Sequence, residues 1–91
     1  MITSKEIQEI DPIKLKRLEI AQIQKLWGFL PKDFAKQLAE KFDCSPGMAK
    51  YIKDIESNDP KSFRLKSKRM LLFLGLIASK NKEEIDEINN I

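Results

Sequence analysis

The chain has no histidine, no valine and one cysteine, Cys44. One thiol cannot close an internal disulfide, so a reducing, cytoplasmic setting is the simpler expectation. Without histidine, neither a Cys/His zinc site nor a Cys–His or Ser–His pair can be built within it. No metal, no cofactor and no catalytic residue is therefore expected. Glycine and proline are also scarce, with 3 and 4 copies. That scarcity argues against the many strands and tight turns of a β protein and for helices. Long hydrophobic runs are missing as well. The longest, Met70 to Ala78, spans about nine residues, and a membrane helix needs roughly 20. It reads as a buried helix segment, and no membrane partner is expected. Residues 1–6 lack the apolar centre of a signal peptide.

Isoleucine, leucine and lysine dominate instead. The 91 residues allow one small domain of about five helices, too small for a cleft enzyme with its own cofactor fold. No small-molecule substrate is expected. Charge is unevenly placed. Residues 1–60 carry 10 basic and 10 acidic side chains. Residues 61–82 carry seven basic ones (Lys61, Arg64, Lys66, Lys68, Arg69, Lys80 and Lys82) and no acidic one. Glu83, Glu84, Asp86 and Glu87 follow. The excess of positive charge belongs to one segment, which suits either a solvated helix face or a phosphate-contacting patch.

Helix signals recur along the chain. Thr3-x-x-Glu6 fits a capping box for a first short helix with Ile7 and Ile10 on one edge. Asp11-Pro12 pairs a good N-cap with a first-turn proline and starts a second helix, about Pro12 to Trp27. Its apolar stripe is too wide for one buried face. Gly28 is placed to end it in a left-handed turn. A third helix runs from about Lys32 to Phe42, with Phe34, Ala35, Leu38, Ala39 and Phe42 on one face. Ser45-Pro46 starts a fourth, to about Glu56, with Met48, Ala49, Ile52 and Ile55 inward. Asp59-Pro60 starts a fifth, to about Lys80, basic in its first half and apolar nearly all round in its second. Gly75 within it costs about 1 kcal/mol against alanine and marks a close helix crossing. Asn81-x-x-Glu84 caps a last acidic helix, about 82–90, which can fold back on the basic cluster or meet a neighbouring subunit.

The segment from Leu38 to Ile52 carries the most specific pattern. Two helices crossing steeply need a small residue at the approach, and Ala39 is there. The turn needs a residue that tolerates a left-handed backbone and then an apolar plug, here Asp43 and Cys44. Ala49 and Ile52 fall one turn apart for burial, and Leu38 and Phe42 complete the wedge. Over residues 35–54 the chain resembles the helix-turn-helix of small bacterial and phage DNA-binding proteins. Leu38, Ala39, Phe42, Cys44, Ser45, Ala49 and Ile52 match that pattern. Asp43 departs from it, since the family usually has glycine there.

The resemblance implies an all-α bundle with a helix-turn-helix at about 32–56 and a fourth helix that enters the major groove. Its outward residues are then Ser45, Gly47, Lys50, Tyr51, Lys53 and Asp54. Lys50 can donate to guanine O6/N7 or sit on a phosphate. Ser45 and the first N–H groups can hold a phosphate, Gly47 permits close approach, and Tyr51 can reach the sugar-phosphate backbone. Arginine, asparagine and glutamine, the usual base readers, are missing, so specificity is modest. Lys61, Arg64, Lys66, Lys68 and Arg69 would then supply affinity through phosphates.

Cys44 reads as a corner plug, Trp27 as a core or dimer anchor, and Glu6, Glu9 and Glu83 to Glu87 as solvated carboxylates. The leading expectation is a non-catalytic, double-stranded-DNA-binding homodimer acting in regulation. Its dimer surface would be the apolar 70–78 segment helped by the 13–30 helix. The rival is a protein-interaction or assembly module, such as a phage-type inhibitor, virion component or adaptor. Whether the Lys50 face is open distinguishes them.

Overall fold

The computed structural model describes residues 2–90. Among them five α-helices follow one another: α1 (Ser4–Glu9), α2 (Arg17–Gln24), α3 (Phe34–Phe42), α4 (Pro46–Asp54) and α5 (Leu65–Asn89). Single 3-10 turns at Pro12–Lys14, Trp27–Phe29 and Pro60–Phe63 join them, and no strand occurs among the described residues. The caps explain where the segments start. Thr3 accepts the Glu6 N–H, Asp11 that of Ile13, Ser45 that of Met48 and Asp59 that of Lys61. Each side chain satisfies a donor that the first turn leaves unpaired.

Besides the fifth helix, which begins at Leu65 after an extended Arg64 rather than at about Pro60, three features differ from the sequence reading. The expected helix from Pro12 to Trp27 is broken at Leu15 and Lys16, whose backbone is extended. The Lys16 N–H donates to the Glu19 carboxylate at 3.0 Å, so α2 begins afresh after the break. Leu15 turns into the core while Leu18, three residues on, stays exposed. The broad apolar stripe thus belongs to two segments running in different directions, not to one helix with two packed sides. Gly28 does not form a left-handed end. No glycine among the described residues has positive φ, and Gly28 lies within the Trp27–Phe29 turn. The third difference is at Asn81, which caps nothing. Its side-chain amide donates to the Phe29 carbonyl at 2.7 Å, and α5 runs through it unbroken for 25 residues. The acidic end is therefore the continuation of α5, and it cannot fold back onto Lys61–Arg69 of its own chain.

The buried side chains form one cluster centred on α5. Ile7 reaches it from α1, Ile20 and Ile23 from α2, Leu38 from α3, and Ala49 and Ile52 from α4. Met70, Leu71, Leu72, Leu74 and Ala78 meet them from α5. Most of the 70–78 run read as a dimer surface is thus consumed by the chain's own core. Phe73, Leu76 and Ile77 remain half-buried. In the 13–30 segment, Ile20, Ile23 and Leu26 are likewise buried, whereas Ile13 and Leu18 are exposed.

The close crossing expected at Gly75 is present. A Cβ built there would lie 2.6 Å from Ile23 Cγ2 and 3.5 Å from Ile7 Cδ1. Ile23 is fully buried, and its Cγ2 is attached directly to a β-branched carbon with little freedom to move. Overpacking of this kind costs about 1–3 kcal/mol, more than the ~1 kcal/mol that alanine gains in helix propensity. Gly75→Ala is expected to lower the melting temperature by several degrees in a circular-dichroism melt, at roughly 4–8 °C per kcal/mol for a domain of this size.

The turn between α3 and α4 also follows the sequence reading. Asp43 adopts φ 51° and ψ 52°, and its N–H and that of Cys44 both donate to the Ala39 carbonyl. Asp43 is the one non-glycine residue with positive φ among those described. Its carboxylate also adds negative charge at the negative end of α3. Asp43→Gly removes both penalties and should raise stability by about 0.5–1 kcal/mol, read as a higher midpoint in urea without a change of slope.

Candidate nucleic-acid interface

α3 and α4 pack on each other more extensively than any other pair of elements, joined by the left-handed Asp43. Ala49 and Ile52 turn α4's inner side into the core, and Ile55 closes its end. The opposite side of α4 is open. Ser45, Gly47, Lys50, Tyr51 and Asp54 are all exposed. Met48, expected inward, is 39% exposed at the edge facing α5. At 3.6 residues per turn it lies about 100° from Ala49, too far round to share its burial.

Two side chains fix the far end of α4: Trp27, which the sequence reading assigned to packing alone, and Gln24, which it did not single out. The Trp27 indole donates its Nε1–H to the Lys53 carbonyl at 2.8 Å, and the Gln24 amide donates to the Ile55 carbonyl. The last carbonyls of a helix have no partner within it. Trp27 and Gln24 supply them from the α2 side and so set the direction in which α4 projects. No motif marks this role, since both acceptors are backbone atoms distant in sequence.

The basic residues divide into groups. Lys61, Arg64 and Lys66 line a groove of about 150 Å³ together with Met48 and Tyr51. The Lys61 ammonium sits 5.8 Å from the Tyr51 ring centroid. These three cations are therefore brought beside the open face of α4, at its Tyr51 edge. Lys68 and Arg69 are not part of that groove. Lys68 lies over the Phe63 ring at 5.8 Å, with Arg17 at 5.6 Å from the same ring. Arg69 is exposed on α5. Lys53 is half-buried and its ammonium rests 5.5 Å from the Phe34 ring of α3, off the open face.

Ser45 is exposed, and its hydroxyl accepts the Met48 N–H at 3.3 Å, which leaves its own O–H free to donate. Pro46 has no N–H. Of the first three helical positions, Gly47 alone keeps a free N–H for a phosphate oxygen. Gly47 also has open space around it, with Ser45 Oγ at 3.8 Å as the nearest atom to a built Cβ.

Electrostatics favour an anion at this groove. The one ion pair among the described residues is Lys82–Asp86, far along α5. Among the described residues, Lys50, Lys61, Arg64 and Lys66 have no carboxylate within salt-bridge reach. From Met70, which borders the groove, to Glu84 is 14 residues of straight helix, roughly 21 Å at ~1.5 Å per residue. That is about two Debye lengths at 0.1 M salt, so the acidic end of α5 is largely screened from α4. The nearest opposing charge shown is Asp59, whose carboxylate accepts the Lys61 N–H at 2.9 Å, and Asp54 is exposed on α4 itself. Among the described residues no three His, Cys, Asp or Glu side chains converge on a common point. No family model, no curated protein and no solved structure matches this chain.

Proposed function

We propose that the protein binds duplex DNA through the open face of α4 and acts, without catalysis, as a regulator or accessory factor of modest sequence specificity. The observation that carries this reading is the juxtaposition of an uncovered helix-turn-helix second helix with three unpaired cations, Lys61, Arg64 and Lys66. Gly47 lets the backbone close on the duplex, and Lys50 projects where a base edge or phosphate would lie. Affinity comes mainly from the groove cations.

Each neutralised phosphate contributes about 0.9 to the slope of log K against log salt. In fluorescence-anisotropy titrations on a 20-bp duplex between 50 and 200 mM salt, binding should weaken steeply. Replacing Lys61, Arg64 and Lys66 together by alanine should flatten the slope by roughly 2–3. Lys50→Ala is expected to reduce affinity about tenfold and to narrow the difference between duplex sequences. Absence of binding at 50 mM salt, or a slope unchanged in the triple variant, would overturn the reading.

A second reading rests on a different surface. Ile13 is 70% exposed and shares a shallow apolar recess with Phe63, Leu65 and Lys68. The recess is flanked by the two cations stacked on Phe63. It suits an acidic, amphipathic protein segment and favours an assembly module. Ile13→Ser should then abolish partner capture while leaving any DNA titration unchanged.

A further inference from the structure

The outer face of α5 carries a pattern that is complementary to its own reverse. Along it lie Arg69, then Phe73, Leu76 and Ile77, then Lys80 and Glu84. All six are exposed or half-buried, although Met70, Leu71, Leu72, Leu74, Gly75, Ala78 and Ser79 between them are buried by the rest of the chain. The last five of those six line one side of an open groove of about 410 Å³, with Pro31 and Gln37 opposite. The stripe is basic at one end, apolar in the middle and acidic at the other. Its spacing of three and four residues keeps it on one face of the helix.

We propose that this stripe pairs with itself: α5 of one molecule packs antiparallel on α5 of a second copy, about a two-fold axis passing between Leu76 and Ile77. That placement sets Leu76 of each copy against Ile77 of the other. It sets Phe73 against Lys80 of the second copy, a cation–π pairing, and Arg69 against Glu84 of the second copy, an ion pair made twice. A parallel arrangement would set Arg69 against Arg69 and Glu84 against Glu84. The charges therefore select both the occupant and its direction. Neither Arg69 nor Glu84 has an ion-pair partner among the described residues of its own chain. The apolar centre is continuous with the core, since Phe73 packs edge-on against Phe42 at 5.7 Å between ring centroids. Rigid support behind the stripe lowers the ordering cost of association.

The pairing does not rest on the DNA reading, but it bears on it. α4 meets α5 at Ser67 and Met70, roughly 100° round the helix from the stripe. A two-fold axis normal to the plane of the helix pair leaves both α4 helices on the same side of that plane. Counting back from the axis at ~1.5 Å per residue separates the two contact turns by about 20–28 Å along the helices. That is shorter than one turn of DNA, about 34 Å, so two α4 helices seated in successive major grooves must diverge outward from the α5 pair.

The test is sedimentation equilibrium of the full chain and of two charge reversals at exposed positions, Arg69→Glu and Glu84→Arg, in 50 mM salt without DNA. The wild type should be dimeric and weaken as salt rises. Each single variant should dissociate at least about tenfold more readily, because each places two like-charge contacts in the dimer. A 1:1 mixture of the two variants should restore dimerisation, since an antiparallel heterodimer pairs every reversed charge with an opposite one. Circular-dichroism melts confirm that both variants remain folded. A monomeric wild type, a dimer indifferent to either reversal, or a mixture that stays monomeric would overturn the proposal. So would seating of an unrelated protein on the stripe that displaces the dimer's charge dependence. None of these outcomes depends on whether the chain binds DNA.

Discussion

The fold depends on one close approach, that of α2 to α5 at Gly75. Ile23 sits where a side chain at position 75 would be. That lets a helix apolar on almost every side be surrounded rather than flanked. Ile7 and Ile23 press on it from one direction and Leu38, Ala49 and Ile52 from others. A chain this short buries a modest fraction of its surface, so it must use nearly every apolar residue it has. Wrapping four short helices around one long one achieves that, at the expense of a glycine in the middle of the long helix.

The same arrangement fixes the α3–α4 pair in space. α4 is anchored on α5 along one side and tied at its end by Trp27 and Gln24 from the α2 region. α3 backs it through the left-handed turn at Asp43. The open face of α4 is then a remainder, the one side none of these elements covers. Its chemistry is thin in base readers, and the cations beside it come from the start of α5 and the turn before it.

Much of this was legible in the sequence because local chemistry dominated. Thr3 and Ser45 cap α-helices as read, whereas Asp11 and Asp59, each followed by a proline, cap only single 3-10 turns ahead of the helices they were read to start. Asp43 takes the left-handed backbone that the turn demands, and Gly75 marks a crossing. What was illegible depended on partners far away in the chain. Asn81-x-x-Glu84 has the form of a cap, yet Asn81 spends its amide on Phe29, a contact no local pattern encodes. The break at Lys16 escaped notice because its donor is satisfied by Glu19 rather than by a capping side chain of its own. The division of the basic run escaped too, since Lys66 and Lys68 are two residues apart and so face different neighbours. The position of Trp27 on the carbonyl of Lys53 is the instructive case. Its stripe placement was apparent, its indole N–H had to find an acceptor, and which acceptor was a matter of topology.

The lysines and arginines resting on aromatic rings have a further consequence. Lys53, Lys61, Lys68, Lys82 and Arg17 each lie within 6 Å of a phenylalanine or tyrosine centroid. A free lysine or arginine side chain samples many rotamers, and immobilising one costs up to ~2 kcal/mol. Here part of that freedom is surrendered on folding, while the charge still meets solvent. Any anionic partner of Lys61 therefore encounters a cation already held in place over Tyr51. Its charges act as fixed features of the surface rather than as mobile tethers, which favours recognition of a rigid, regularly spaced anion over a flexible one.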